Sequence, residues 1–206
     1  MSVNTWEENM TIDDSPRDAK AWFDKGVSLT ELARYEEAIV CYEKALELDP
    51  SDAAAWTDKG NSLGNLGRHE EAIYCDDKAL ALDPHNVNAW TDKGASLDNL
   101  GCHEDALSCY DKALALDPGY VGAWTNKGAS LDSLGRPEEA INCYDKALEL
   151  DPHNAAAWFN KAMVEDKLGH SGEARRSYQQ FLAFAPAQQY AKQIEMARKR
   201  LLELGG

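Results

Sequence analysis

The sequence predicts an all-α solenoid, built from five tandem 34-residue helix-turn-helix units and closed by a C-terminal capping helix. Trp22, Trp56, Trp90, Trp124 and Trp158 recur every 34 residues, and Pro16, Pro50, Pro84, Pro118, Pro152 and Pro186 keep the same interval. Within a unit, apolar residues return at three- and four-residue steps in each half, the signature of two amphipathic helices. A fixed period marks one supersecondary unit copied in tandem, whose apolar face is buried only when a neighbour stacks on it. The units run 19–52, 53–86, 87–120, 121–154 and 155–188 as one quasi-linear domain. Residues 1–18 form an N-terminal extension, partly disordered or a partial helix, with Trp6 able to tuck onto the first unit; residues 189–206 form the cap.

The first helix of a unit carries its apolar stripe on residues such as Trp124, Gly128, Leu131 and Leu134. Gly135 then ends it, as Gly67, Gly101 and Gly169 do in other units, because glycine suits a left-handed C-terminal cap. Ala33 stands in that place in the first unit. The second helix presents Ala140, Ile141, Tyr144, Ala147 and Leu148, with Glu138 and Glu139 in the first turn, where the helix dipole favours anions. Proline disfavours helical conformation in the residue before it, so Asp49, Asp83, Asp117 and Asp151 each end a helix. Asp52, Asn86 and Asn154 are N-caps for the helices that follow. Gly60, Gly94 and Gly128 are expected to face Ala72, Ala106 and Ala140 and let the two helices approach closely. Beyond Pro186, Tyr190, Ile194, Ala197 and Leu201 form the stripe of the cap.

Trp124, Gly128, Ala140, Tyr144, Ala147 and Pro152, at positions 4, 8, 20, 24, 27 and 32 of their unit, resemble the tetratricopeptide repeat. The resemblance covers 19–188 and implies antiparallel helix pairs wound into a right-handed superhelix, with a concave face lined by the first helices. Three departures stand out. Lysines 25, 59, 93, 127 and 161 replace the usual leucine at position 7, their stems covering core while the ammonium groups reach water or a carboxylate. Asp76 replaces tyrosine at position 24 of the second unit, a predicted soft spot, because burying an unpaired charge is costly. The fifth unit drifts furthest, with Glu165, Phe181 and Phe184 in place of Leu, Ala and Leu.

Composition narrows the function classes. Net charge is -15, which repels phosphate backbones and anionic lipid headgroups and argues against nucleic acid and membranes as partners. No apolar run reaches the roughly 20 residues of a membrane span, and no signal-like segment opens the chain, so a cytoplasmic location is expected. Cys41, Cys75, Cys109 and Cys143 keep the 34-residue interval and are read as small buried apolar residues in a reducing compartment. Cys102 reads as a loop thiol. No phosphate-cradling loop, H-E-x-x-H or C-x-x-C motif is present, and a linear array spreads like groups apart instead of converging them. The chain is therefore read as no enzyme, with no cofactor and no metal site, although His69, Cys102, His103 and His170 share inter-helix loops.

The working surface is instead expected on the first helices, opposite the tryptophan stripe, at positions 2, 5, 6, 9, 12 and 13. There stand Asp24 in the first unit and Thr57, Asp58, Asn61 and Asn65 in the second. The third contributes Asn88, Thr91, Asp92, Asp98 and Asn99, the fourth Thr125, Asn126 and Asp132, and the fifth Asn160. Asn and Thr can hydrogen-bond an extended backbone, while the aspartates favour lysine or arginine. The resemblance implies a protein-protein interaction scaffold, and this lining suits a basic or neutral peptide segment. One version of the family grips a terminal carboxylate with lysine, arginine and asparagine at positions 5 and 9, where only Asn61 fits here. The alternative reading is a self-associating assembly module: residues 1–19 carry a net charge of -4 and 155–206 one of +3, so the ends could attract one another weakly.

Overall fold

The computed structural model describes residues 18–205, which form a row of α-helices joined by short turns. In chain order these are α1 (Ala19–Glu31), α2 (Tyr35–Leu48), α3 (Ala53–Asn65), α4 (His69–Leu82), α5 (Val87–Asn99), α6 (His103–Leu116), α7 (Val121–Ser133), α8 (Pro137–Leu150), α9 (Ala155–Lys167), α10 (Ser171–Phe184) and α11 (Ala191–Glu203). Apart from Asp18, the expectations for the N-terminal extension, Trp6 included, lie outside the described residues.

Local chemistry sets the helix ends. Asp18, Asp52, Asn86 and Asn154 each accept a hydrogen bond from a backbone N–H in the first turn of the helix they open. Tyr120 takes this place before α7 without a side-chain cap. Gly67, Gly101, Gly135 and Gly169 adopt φ between 71° and 78°, and Ala33 is held in the same left-handed region at φ 55°. Asp49, Asp83, Asp117 and Asp151 leave helical geometry before proline, and each carboxylate accepts from the N–H two residues on, folding the turn between pairs.

Each odd-numbered helix from α1 to α9 packs against the even one that follows, and each even one against the next odd one. The odd helices also touch across pairs, α1 to α3, α3 to α5, α5 to α7 and α7 to α9, whereas no comparable contact joins successive even helices among the described residues. Odd helices therefore crowd the inner face of the row and even helices splay on the outer face. The tryptophans explain why two residue types share one period. The indole N–H of Trp56, Trp90, Trp124 and Trp158 donates to the carbonyl of Pro50, Pro84, Pro118 and Pro152 at 2.9–3.1 Å, tying each odd helix to its preceding turn.

Gly94 and Gly128, like Gly26, face something larger than the alanines expected, whereas Gly60 lies against Asp76 and the Ala72 carbonyl. A Cβ on Gly26, Gly94 or Gly128 would lie 2.6 Å from the ring of Tyr42, Tyr110 or Tyr144, so glycine is what admits the tyrosine. Those rings are essentially fully buried, each contributing about 2–3 kcal/mol of apolar burial. The position-7 lysines bridge neighbouring pairs: Lys59 to Glu43 at 2.9 Å, Lys93 to Asp77 at 2.5 Å, Lys127 to Asp111 at 2.6 Å, and Lys161 to Asp145. Each also lies 5.6–5.8 Å from the centre of its own unit's indole ring.

At the C-terminal end, Tyr190, Ile194, Ala197 and Leu201 pack on Ala155, Phe159, Tyr178 and Phe181, sealing the core as the stripe predicts. Arg200 pins the cap through two bonds of 2.7 Å to Asp166. The drift of the last unit is thus matched to a different neighbour. Buried Glu165 accepts from Ser177 at 2.7 Å, with Lys161 at 3.7 Å. The four periodic cysteines are buried free thiols and Cys102 is exposed. No helix among the described residues is long and apolar enough to cross a membrane.

Candidate functional site

The inner face presents most, though not all, of the residues expected there. Asp24, Asn65, Asn88 and Asn99 are exposed; Asp58, Asn61, Asp92, Asp98, Asn126, Asp132 and Asn160 are half-buried along the same row of odd helices. The threonines need correction. Thr57, Thr91 and Thr125 are buried, and each hydroxyl donates to the carbonyl four residues back at 2.9–3.0 Å. Thr57 also accepts from the Asn86 side chain at 2.9 Å, so position 5 is sealed between units instead of facing a ligand.

Asp98 is likewise committed inward. Its carboxylate accepts from Tyr110 Oη at 2.8 Å and Ser130 Oγ at 2.6 Å, and His103 Nδ1 lies 2.9 Å away. Burial pushes the Tyr110 phenol well above its ordinary range, and the carboxylate adds to the rise by opposing loss of the proton. Other groove residues pair along the row. Tyr120 donates to Asn88 at 2.8 Å, Lys167 to Asp132 at 2.9 Å, and exposed Lys20 to Asp24 at 2.7 Å.

Asp58 and Asp92 differ. Burial raises the pKa of Asp58, helped by Asp52, and burial raises that of Asp92 to about 6, with Asp58 adding to the rise and a 3.4 Å hydrogen bond from Asn61 opposing it. No cation compensates either carboxylate among the described residues. The position-25 acids Glu43, Asp77, Asp111 and Asp145 each have a lysine. Asp58 and Asp92 thus differ from the position-25 acids in having no basic partner among the described residues.

Beside Asp92 the face opens into a cavity of about 170 Å³ bounded by Gly60, Gly64, His69, Ser96 and Asn99, among others. Gly60, Gly64, His69 and Ser96 were not among the residues expected at the site. The signal that could have found three of them is their place in the repeat, since Asp98, His103 and Ser130, the residues 34 on from Gly64, His69 and Ser96, bound a second cavity of about 170 Å³.

Family models for the tetratricopeptide repeat match residues 19–52, 87–120 and 121–154, and a second such model matches 41–74 and 143–176. The chain belongs to the tetratricopeptide repeat family. Solved structures of this fold superpose well. A thermophilic tetratricopeptide repeat protein of Thermus thermophilus, TTC0263, aligns at TM-score 0.77 and 22% identity, covering 89% of this chain and 99% of its own. MamA from Desulfovibrio magneticus aligns at 0.70 and 22%, covering 81% and 94%. YrrB, described as a tetratricopeptide repeat protein with an unusual peptide-binding site, aligns at 0.63 and 25%, covering 87% and 92%. Comparison with curated protein sequences finds no match.

Proposed function

We propose that this tetratricopeptide repeat protein is a non-enzymatic scaffold that holds an extended basic or neutral peptide segment against the inner face of α1, α3, α5, α7 and α9. The observation that carries the reading is the contrast between two sets of carboxylates. The acids at position 25 are neutralised by the lysine ladder, while Asp58 and Asp92 on the inner face have burial and no counter-charge among the described residues. A cationic side chain arriving from outside relieves that imbalance. Asn61, Asn65, Asn99, Asn126 and Asn160 stand along the same row with amide groups suited to a peptide backbone. The likeness to YrrB, whose own description includes peptide binding, supports the reading.

Fluorescence anisotropy with peptides of one length and varied charge tests it. The reading expects basic peptides to bind most tightly, neutral ones less so, and basic-peptide affinity to fall as ionic strength rises and the Debye length shrinks below about 8 Å. Affinity that ignores salt, or that favours acidic peptides, contradicts it.

A further inference from the structure

The inner face changes character at its C-terminal end. Clefts of about 170 Å³ between α3 and α5 and between α5 and α7 are walled largely by asparagine, serine, histidine and aspartate. Where α11 takes the place of a next inner helix beside α9, the cleft is larger, about 300 Å³, and is lined by Met163, Asp166, Lys167, Tyr178, Met196 and Arg200. Met163 stands at position 9, where the other units carry Val27, Asn61, Ala95 and Ala129. Both methionines are left open to solvent, 43% and 50% exposed, because sealing the last pair takes the other stripe of α11. Lys192 and Lys199 stand one turn before and one turn after Met196 on the same side of the helix. Both are exposed and in no ion pair among the described residues. Arg200 and Lys167 already answer Asp166 and Asp132, and Glu195 is the one acid between 192 and 200, so the charge left beside the methionines is positive.

We propose that this cleft receives segment 6–14 of a second copy of the chain, joining copies head to tail. That segment, outside the described residues, carries Trp6, Met10 and Ile12 among Glu7, Glu8, Asp13 and Asp14, with no base. Its apolar groups suit a methionine floor, which adapts to the shape of what it meets, and its carboxylates suit the free lysines. The chain's own segment is a poor occupant. Only adjacent inner helices touch, so four steps of about 8–10 Å separate the axes of α1 and α9. The chain from Trp6 to Asp18 spans at most about 43 Å when fully extended, so it would lie taut along the row. On that path its carboxylates meet Asp58 and Asp92, which repel them. A second copy approaches the cleft from outside and avoids both. A contact between unlike surfaces leaves one segment and one cleft free on every pair, so further copies can add. The groove over Asp58 and Asp92 takes no part in this contact, and either reading can fail alone.

Sedimentation equilibrium on the full chain, over a range of protein and salt concentrations, tests it. Wild type is expected to associate, and added salt to weaken the contact. Met163→Asn installs the residue of the second unit, Met196→Glu alters an exposed position of α11, and Trp6→Ser alters the segment. Each is expected to weaken association at least tenfold, with circular dichroism and melting temperature unchanged. The decisive arm mixes variants. A Trp6→Ser chain keeps its cleft and a Met196→Glu chain keeps its segment, so an equimolar mixture is expected to form a dimer that neither forms alone. Should the Met196→Glu chain melt early, Met163→Asn takes its place in the mixture. A synthetic peptide of residues 1–17 is expected to disperse the wild-type assembly at least tenfold more potently than the same residues in scrambled order. A wild type that stays monomeric overturns the proposal, whether the cleft stays open, holds the chain's own segment or accepts another protein. So does association that ignores salt or the three substitutions, a mixture no more associated than its components, or equal inhibition by the scrambled peptide.

Discussion

Asp76 and Ala33 are the two residues at which this chain departs most expensively from its own pattern. Burial, with Asp92 and Asp77, raises the Asp76 pKa from 3.8 to about 9, so the folded state holds a proton that the unfolded chain releases near pH 4. Between those values the native state binds more protons, and linkage makes unfolding free energy fall as pH rises. Urea denaturation from about pH 5 to about pH 8 should show wild type losing more stability than Asp76→Asn, which lacks this proton. A wild-type curve parallel to that of Asp76→Asn contradicts the assignment. Asp76→Tyr should stabilise by about 3 kcal/mol at neutral pH, since it removes an orphaned buried carboxyl and lays an apolar ring against Gly60 as in the other pairs. Ala33 sits at φ 55° where four other units use glycine. Left-handed backbone costs an L-residue about 1–2 kcal/mol, partly offset by alanine's smaller entropy loss on folding. Ala33→Gly should therefore raise stability by about 0.5–1 kcal/mol in the same denaturation assay, and no gain would show that the turn is not strained.

At the scale of elements, α11 is a lid on an apolar end. Ala197 is fully buried against the last helix pair, so Ala197→Asp should place an unpaired charge there and cost several kcal/mol locally. Hydrogen exchange should report it as faster amide exchange in α9, α10 and α11, with α1–α4 little changed, because the array couples neighbours only. Uniform acceleration along the chain would mean a single cooperative unit instead. This cap, the helix ends and the pairing were legible in the sequence because each is set by local rules: Pro after Asp, glycine past the last apolar residue, and a four-three-four stripe. The inner face was less legible. Helical spacing placed Thr57 correctly on the side away from Trp56, but that wheel says nothing about where the next odd helix lands, and it lands on Thr57. Asp98 was hidden for a similar reason, since its partners Ser130 and Tyr110 are 32 and 12 residues away. Asp76 could be flagged as out of place, whereas the cavity between α3 and α5 is bounded by Gly64 and Ser96 from two helices that the sequence does not show to meet.

Over the whole molecule the net charge of -15 is distributed with structure. The lysine ladder neutralises acids between neighbouring pairs, each half-exposed bridge worth about 0.5 kcal/mol, while the inner face keeps Asp58 and Asp92 uncompensated. The claim at the centre is that this placement, and not bulk charge, selects the partner. The most direct measurement compares the affinity of one basic peptide for three proteins by anisotropy: wild type, Asp58→Asn/Asp92→Asn, and Asp77→Asn/Asp111→Asn. Both variants lose the same two charges. The account predicts at least a tenfold loss for the inner-face pair and less than a twofold loss for the ladder pair; equal losses in the two variants would contradict it.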